Sequence, residues 1–155
     1  MIQVKQILAN SAREGARLAA QGYTLDSAGL PLQVYESTGS LNVKDTVYNY
    51  LLSMGLTKLQ KTDVTVDFAF TSNLGAPGTL NNVYYPGGVP NPAGTPNDPY
   101  LGLKGQPLKV TVTIPWAKVR WINAGVINPT SLTVTVKWEM LRDDTFAVDT
   151  QLPQW

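Results

Sequence analysis

The chain has 155 residues, enough for one domain that buries roughly two-thirds of its unfolded surface. Its 12 basic and 11 acidic residues are scattered, with a net charge of +1 and no basic stripe, which argues against nucleic acid as a partner. Zero cysteines and zero histidines exclude disulfides, thiolate metal sites and cysteine nucleophiles, and remove the commonest general base and metal ligand. The composition therefore predicts a non-enzyme. Charged residues make up only 15%, against roughly 25% in ordinary soluble domains. The polarity is carried instead by Thr, Asn, Gln and Ser, as in many proteins exported from the cytoplasm. No stretch reaches the ~18 consecutive apolar residues of a membrane span, and no signal-peptide core is visible.

Residues 1–20 have a helical period. Val4, Leu8, Ala12, Gly15 and Ala19 fall on one side, while Arg13, Glu14 and Arg17 lie towards the others. This helix opens without an N-cap residue, as the lower half of a longer helix would. It should end near Gln21, with Gly22 in the left-handed position that closes a helix. Residues 23–41 read as a connection with a short extended piece at Leu32–Tyr35. A second helix should be capped by Asn42, carry Asp45 in its first turn, repeat Val43, Val47, Tyr50, Leu51 and Met54 at helical spacing, and stop at Gly55.

The period then changes to two. Val64, Val66, Phe68 and Phe70 alternate with polar neighbours, as do Leu108, Val110, Val112 and Ile114 up to Pro115, and Leu132, Val134, Val136, Trp138 and Met140. Three strands with one apolar face imply an antiparallel sheet covered on that face by the two helices. Trp138, on the inward side, is expected in the core. Between the first two strands, fourteen of the 35 residues 73–107 are Gly or Pro, which rules out a long helix or central strand there. Tyr84, Tyr85 and Tyr100 within this segment can pin it to the domain. The expected fold is α+β, one domain over residues 1–155 with a loop insertion at 73–107.

Two groups of residues are candidates for function. Ala12, Gly15, Ala16 and Ala19 allow another backbone to approach closely, and Gly15 costs roughly 1 kcal/mol relative to Ala within a helix, so it calls for a packing reason. Arg13, Glu14, Gly15, Ala16 and Arg17 are therefore the candidate packing or subunit-contact face. Trp116, Trp121, Tyr84, Tyr85 and Tyr100 are the candidate ligand surface, since aromatic faces stack on sugar rings. Asn97–Asp98, Asp143–Asp144 and Asp149 lack the spacing of a calcium loop and read as solvated turn residues. The glycine-rich pieces lack the lysine and helix of a phosphate loop, and no Ser-x-x-Lys set occurs. No cofactor or metal is expected.

The stretch NSAREGARLAA resembles the helix just below the membrane span in the TadE-like family of bacterial pseudopilins. GQPLKVTVTIPW and LTVTVKWEMLRDD are similar to that family's last two strands, with Met140, Arg142 and Asp143 in its closing pattern and Leu141 inserted. Residues 73–107 have no counterpart in the family. The resemblance implies a pilin-like fold, with the N-terminal helix and a second helix on one face of a three- to four-stranded antiparallel sheet. It further implies an anchoring apolar helix in the inner membrane ahead of Met1 and a domain in the periplasm or outside the bacterial cell. On this resemblance the chain is a non-enzymatic assembly component of a tight-adherence (type IV-like) pilus or related secretion machine. Its partners would be other pilin or pseudopilin subunits and inner-membrane assembly proteins. The small face of the helix would lie on the sheet, leaving Arg13, Glu14 and Arg17 for neighbouring subunits or lipid headgroups. The competing reading is a small extracytoplasmic domain that binds a glycan or other ligand through its loop aromatics. A hydrolase with paired carboxylates is disfavoured, because no two acids have a recognisable spacing.

Overall fold

A computed structural model describes residues 2–71, 98–102, 104–119 and 130–141, and within them the chain is α+β. Helix α1 spans Ile2–Gln21 and α2 spans Val43–Ser53, with a single helical turn, α3, at Trp116–Val119. Strands β3 (Thr65–Phe70), β4 (Pro107–Pro115) and β5 (Ser131–Glu139) form an antiparallel sheet in the order β3-β4-β5. The register sets Phe68 opposite Val110 and Val110 opposite Val136, so the apolar sets of the three strands share one face. β1 (Tyr23–Leu25) and β2 (Pro31–Gln33) form a separate two-stranded ribbon that the sequence pattern gave no sign of beyond the extended piece at Leu32–Tyr35.

Helix α1 packs on α2, β5 and β4, which places both long helices on the apolar side of the sheet. Val4, Leu8, Ala12, Ala16, Ala19 and Ala20 are buried in the same cluster as Val43, Val47 and Leu51 of α2 and Leu108, Val110, Val112 and Ile114 of β4. The expectation for Gly15 needs correcting in one respect. Its small side faces α2 before it faces the sheet: a Cβ placed there would lie 2.7 Å from Val47 Cγ2 and 3.0 Å from Val43 Cγ1, but 3.8 Å from Val110 Cγ1. The glycine lets two helices meet closely above β4, and that contact offsets its poor helix propensity.

The ends of the helices follow their local chemistry. Asn42, in extended conformation, accepts the Asp45 N–H on Oδ1 at 2.7 Å, and Asp45 is in turn paired with Lys61. At the other end of α1, Gly22 adopts a left-handed backbone (φ 63°) and its N–H donates to Ala19 O. The Leu141 N–H donates to Ala20 O at 2.8 Å, so the chain leaving the sheet satisfies a carbonyl at the end of the helix.

Trp138 departs from its expected place in the core. Burial declines along the inner side of β5, from Leu132 at 4% exposed to Trp138 at 36%. Among the described residues β5 is flanked by a strand on one side only, and an indole there is too large to be covered fully. On the outer side, Thr111 and Thr135 hydroxyls lie 2.9 Å apart, and Thr113 and Thr133 hydroxyls 3.0 Å apart, across β4 and β5. That face is polar and exposed.

Replacing Gly15 with Leu forces a branched side chain into the stiff valines of α2. We expect a loss of about 1–3 kcal/mol or more, read as a lower midpoint in thermal or urea unfolding. Unchanged unfolding would show that α1 and α2 do not meet at this residue.

Candidate functional site

The first candidate face divides cleanly along the helix. Gly15 and Ala16 are buried between α1 and its neighbours, whereas Arg13 and Arg17 are exposed and Glu14 is partly so. Arg17 donates from both Nε and Nη2 to Glu14 Oε2, at 3.1 and 2.9 Å, and Arg13 Nη1 donates to Asn10 Oδ1 at 2.8 Å. The Arg17 and Glu14 side chains are 61% and 39% exposed, and an ion pair that wet contributes between zero and about 1 kcal/mol. These charges do little for folding. They form an ordered, solvent-facing stripe on the back of the helix whose other side is the core.

Of the second candidate group, only Tyr100 and Trp116 lie among the described residues. Tyr84, Tyr85 and Trp121 lie outside the described residues. Tyr100 sits on a 3-10 turn, Pro99–Leu101, beside Gly102, whose neighbours Phe70 and Met140 mark one end of the sheet. Trp116 follows Pro115 at the opposite end of the nine-residue strand β4. Trp116 is packed against the core, with its backbone N–H donating to Thr130 O. Lys118 of the same helical turn pairs with Asp63 at 3.5 Å.

Tyr100 instead joins two tyrosines that sequence reading did not single out. Its ring lies 5.1 Å from that of Tyr35 and 6.5 Å, edge-on, from that of Tyr23. Its N–H donates to Val34 O at 3.1 Å, so the end of the Pro/Gly-rich segment is pinned to the domain, as expected for a tyrosine there. Tyr23 and Tyr35 line an open groove of about 730 Å³ together with Leu32, Gln33 and Gly39. Tyr35 donates its hydroxyl to Gln33 Oε1 at 2.7 Å, and one side of its ring rests on Gly39, where a Cβ would lie 2.7 Å from Cδ2.

Next to this groove, acids gather against the edge of the sheet. Glu36 Oε1 accepts the Phe68 N–H at 2.7 Å, and Asp98 Oδ1 accepts the Glu36 N–H at 3.0 Å. Asp98 is buried, in contrast to the solvated turn residue expected from Asn97–Asp98. Burial pushes the Glu36 carboxyl above its ordinary range; the Phe68 N–H opposes this, and the Asp67 and Asp98 charges reinforce it. Burial likewise raises Asp98, against the opposing effect of the Glu36 N–H. Among the described residues no group of three or more acidic side chains is arranged to hold a metal ion. Glu36 and Asp98 are 62 residues apart in sequence, and no motif announces the pairing.

No helix among the described residues is long and apolar enough to cross a membrane. No protein-family model, curated protein or solved structure matches the chain.

Gly39 combines a left-handed backbone (φ 78°) with the Tyr35 ring packed on it. Gly39→Ala should cost about 1–2 kcal/mol from the backbone alone and displace the Tyr35 ring. Thermal unfolding together with the near-UV circular dichroism of the tyrosines checks this, and an unaltered tyrosine signal would contradict the packing described.

Proposed function

We propose that the chain is the extracytoplasmic domain of a TadE-like minor pseudopilin, a non-enzymatic component in the assembly of an adhesive pilus or related secretion machine. The observation that carries this reading is the division of α1. Its small-residue stripe is buried against α2 and the sheet, while Arg13, Glu14 and Arg17 face outward on the same turns. A helix laid over an antiparallel sheet with an ordered charged back is the arrangement a pilin-like subunit needs for lateral contact with neighbouring helices. The NSAREGARLAA resemblance falls on those same turns. The proposed partners are other pilin or pseudopilin subunits and inner-membrane assembly proteins. The proposed location is the bacterial cell envelope, anchored at the inner membrane, with the domain in the periplasm or outside the cell. Of the aromatics that the ligand-binding alternative names, the two among the described residues, Trp116 and Tyr100, lie at opposite ends of β4.

The double variant Arg13→Ala, Arg17→Ala separates assembly from folding. Its stability should stay within about 0.5 kcal/mol of wild type, since both side chains are exposed and make only surface bonds. In bacteria carrying the cognate pilus genes, the same variant should lose co-purification with the other pilin subunits and reduce piliation. Normal piliation and intact co-purification would remove the charged stripe from the account.

A further inference from the structure

We propose that Glu36 and Asp98 form an acid-tightened clasp over the outer edge of β3, standing where a fourth strand would otherwise pair. Among the described residues β3 is an edge in the order β3-β4-β5, and an edge strand presents unpaired backbone groups that can template pairing with another chain. The Glu36 carboxylate occupies that edge by accepting the Phe68 N–H. Its own backbone is fixed from two sides: the Glu36 N–H donates to Asp98 Oδ1, and the Lys44 N–H donates to Glu36 O at 3.0 Å. Together, the Glu36 N–H on Asp98 Oδ1 and the Tyr100 N–H on Val34 O tie residues 98–100 to residues 34–36.

The charges around the clasp are of one sign. Asp67 on β3 and Asp98 before the 3-10 turn both act on Glu36 as like charges. The charges of Lys44 and Lys61, at the start of α2 and before β3, act on Asp45. When Glu36 is ionised, a half-buried carboxylate faces these two like charges. When it is protonated, its carbonyl oxygen still accepts the Phe68 N–H and the repulsion is gone. Both carboxyls sit above their ordinary range, with burial the chief cause, so the folded chain binds protons more readily than the unfolded chain. Their contribution to stability is present at low pH and is lost as pH rises through those raised values. The edge of β3 is therefore held more firmly in mildly acidic than in neutral solution.

The test compares the whole chain with Glu36→Gln and with Asp67→Asn, by thermal unfolding at pH 4 and pH 7 and by amide exchange at Phe68. Glu36→Gln keeps an acceptor for Phe68 and removes the charge. At pH 7 we expect its Tm to rise by about 2–4 °C. Phe68 exchange, normalised to its intrinsic rate, should slow roughly fivefold. Both differences should shrink towards zero at about pH 4, where the wild-type carboxyl is itself protonated. Asp67→Asn leaves both hydrogen bonds in place and should give a smaller Tm rise at pH 7 that is also lost at pH 4; this variant carries the test alone if Glu36→Gln does not fold. A Tm for Glu36→Gln at or below wild type at pH 7, an equal gain at both pH values, or no gain for Asp67→Asn at pH 7 would overturn the proposal.

Discussion

The close approach of α1 to α2 is the contact on which the rest of the structure depends. Gly15 brings the α1 backbone against Val43 and Val47 with no room for a Cβ, and Ala12, Ala16 and Ala19 keep the same side of the helix thin. With that stripe thin, one helix can touch α2 and the inner faces of β4 and β5 at once. Around this stripe the large side chains of the core are Leu8 of α1 itself, Leu51 of α2, and Leu108 and Ile114 of β4. Close packing of this kind tolerates little added volume, so the identity of the small residues matters more than their modest burial of apolar area suggests.

A second consequence follows at the end of α1. Gly22 turns the chain sharply, Val34 donates its N–H to Gly22 O, Tyr100 donates to Val34 O, and Leu141 donates to Ala20 O. Four distant segments therefore meet at one helix terminus through backbone bonds. This junction orders the tyrosine groove and brings Asp98 to Glu36. Backbone groups and half-buried acids set its geometry, which makes it sensitive to pH in a way that the apolar core is not.

The helices, their boundaries and the three long strands were legible in the sequence because each has a clear period and recognisable end residues. Asn42 caps α2, Gly22 closes α1, and Pro107 to Pro115 bounds β4, all in accord with the pattern of the chain. Periodicity was silent elsewhere, for identifiable reasons. The strands of the β1–β2 ribbon have three residues each, too few to show a period, and the Asp26 side chain that orders its turn by accepting the Ala28 and Leu30 N–H groups is one of many turn-forming residues in that stretch. The alternation of β5 placed Trp138 inward but carried no information on which strand would be the edge. The stripe on α1 showed that something packs closely without showing that Gly15 meets α2 first. The Glu36–Asp98 contact joins positions with no shared motif, so only the folded chain reveals it.

The buried stripe and the charged stripe of α1 give the proposed assembly role its physical basis, and their division can be measured directly. The chain contains no cysteine, so single cysteines at positions 12, 16 and 19, and separately at 13 and 17, report exposure without background. The account predicts that thiols at 12, 16 and 19 react with a water-soluble alkylating reagent only on unfolding, while those at 13 and 17 react in the native state at nearly the rate of an unfolded peptide. Equal native-state reactivity at both sets of positions would contradict it.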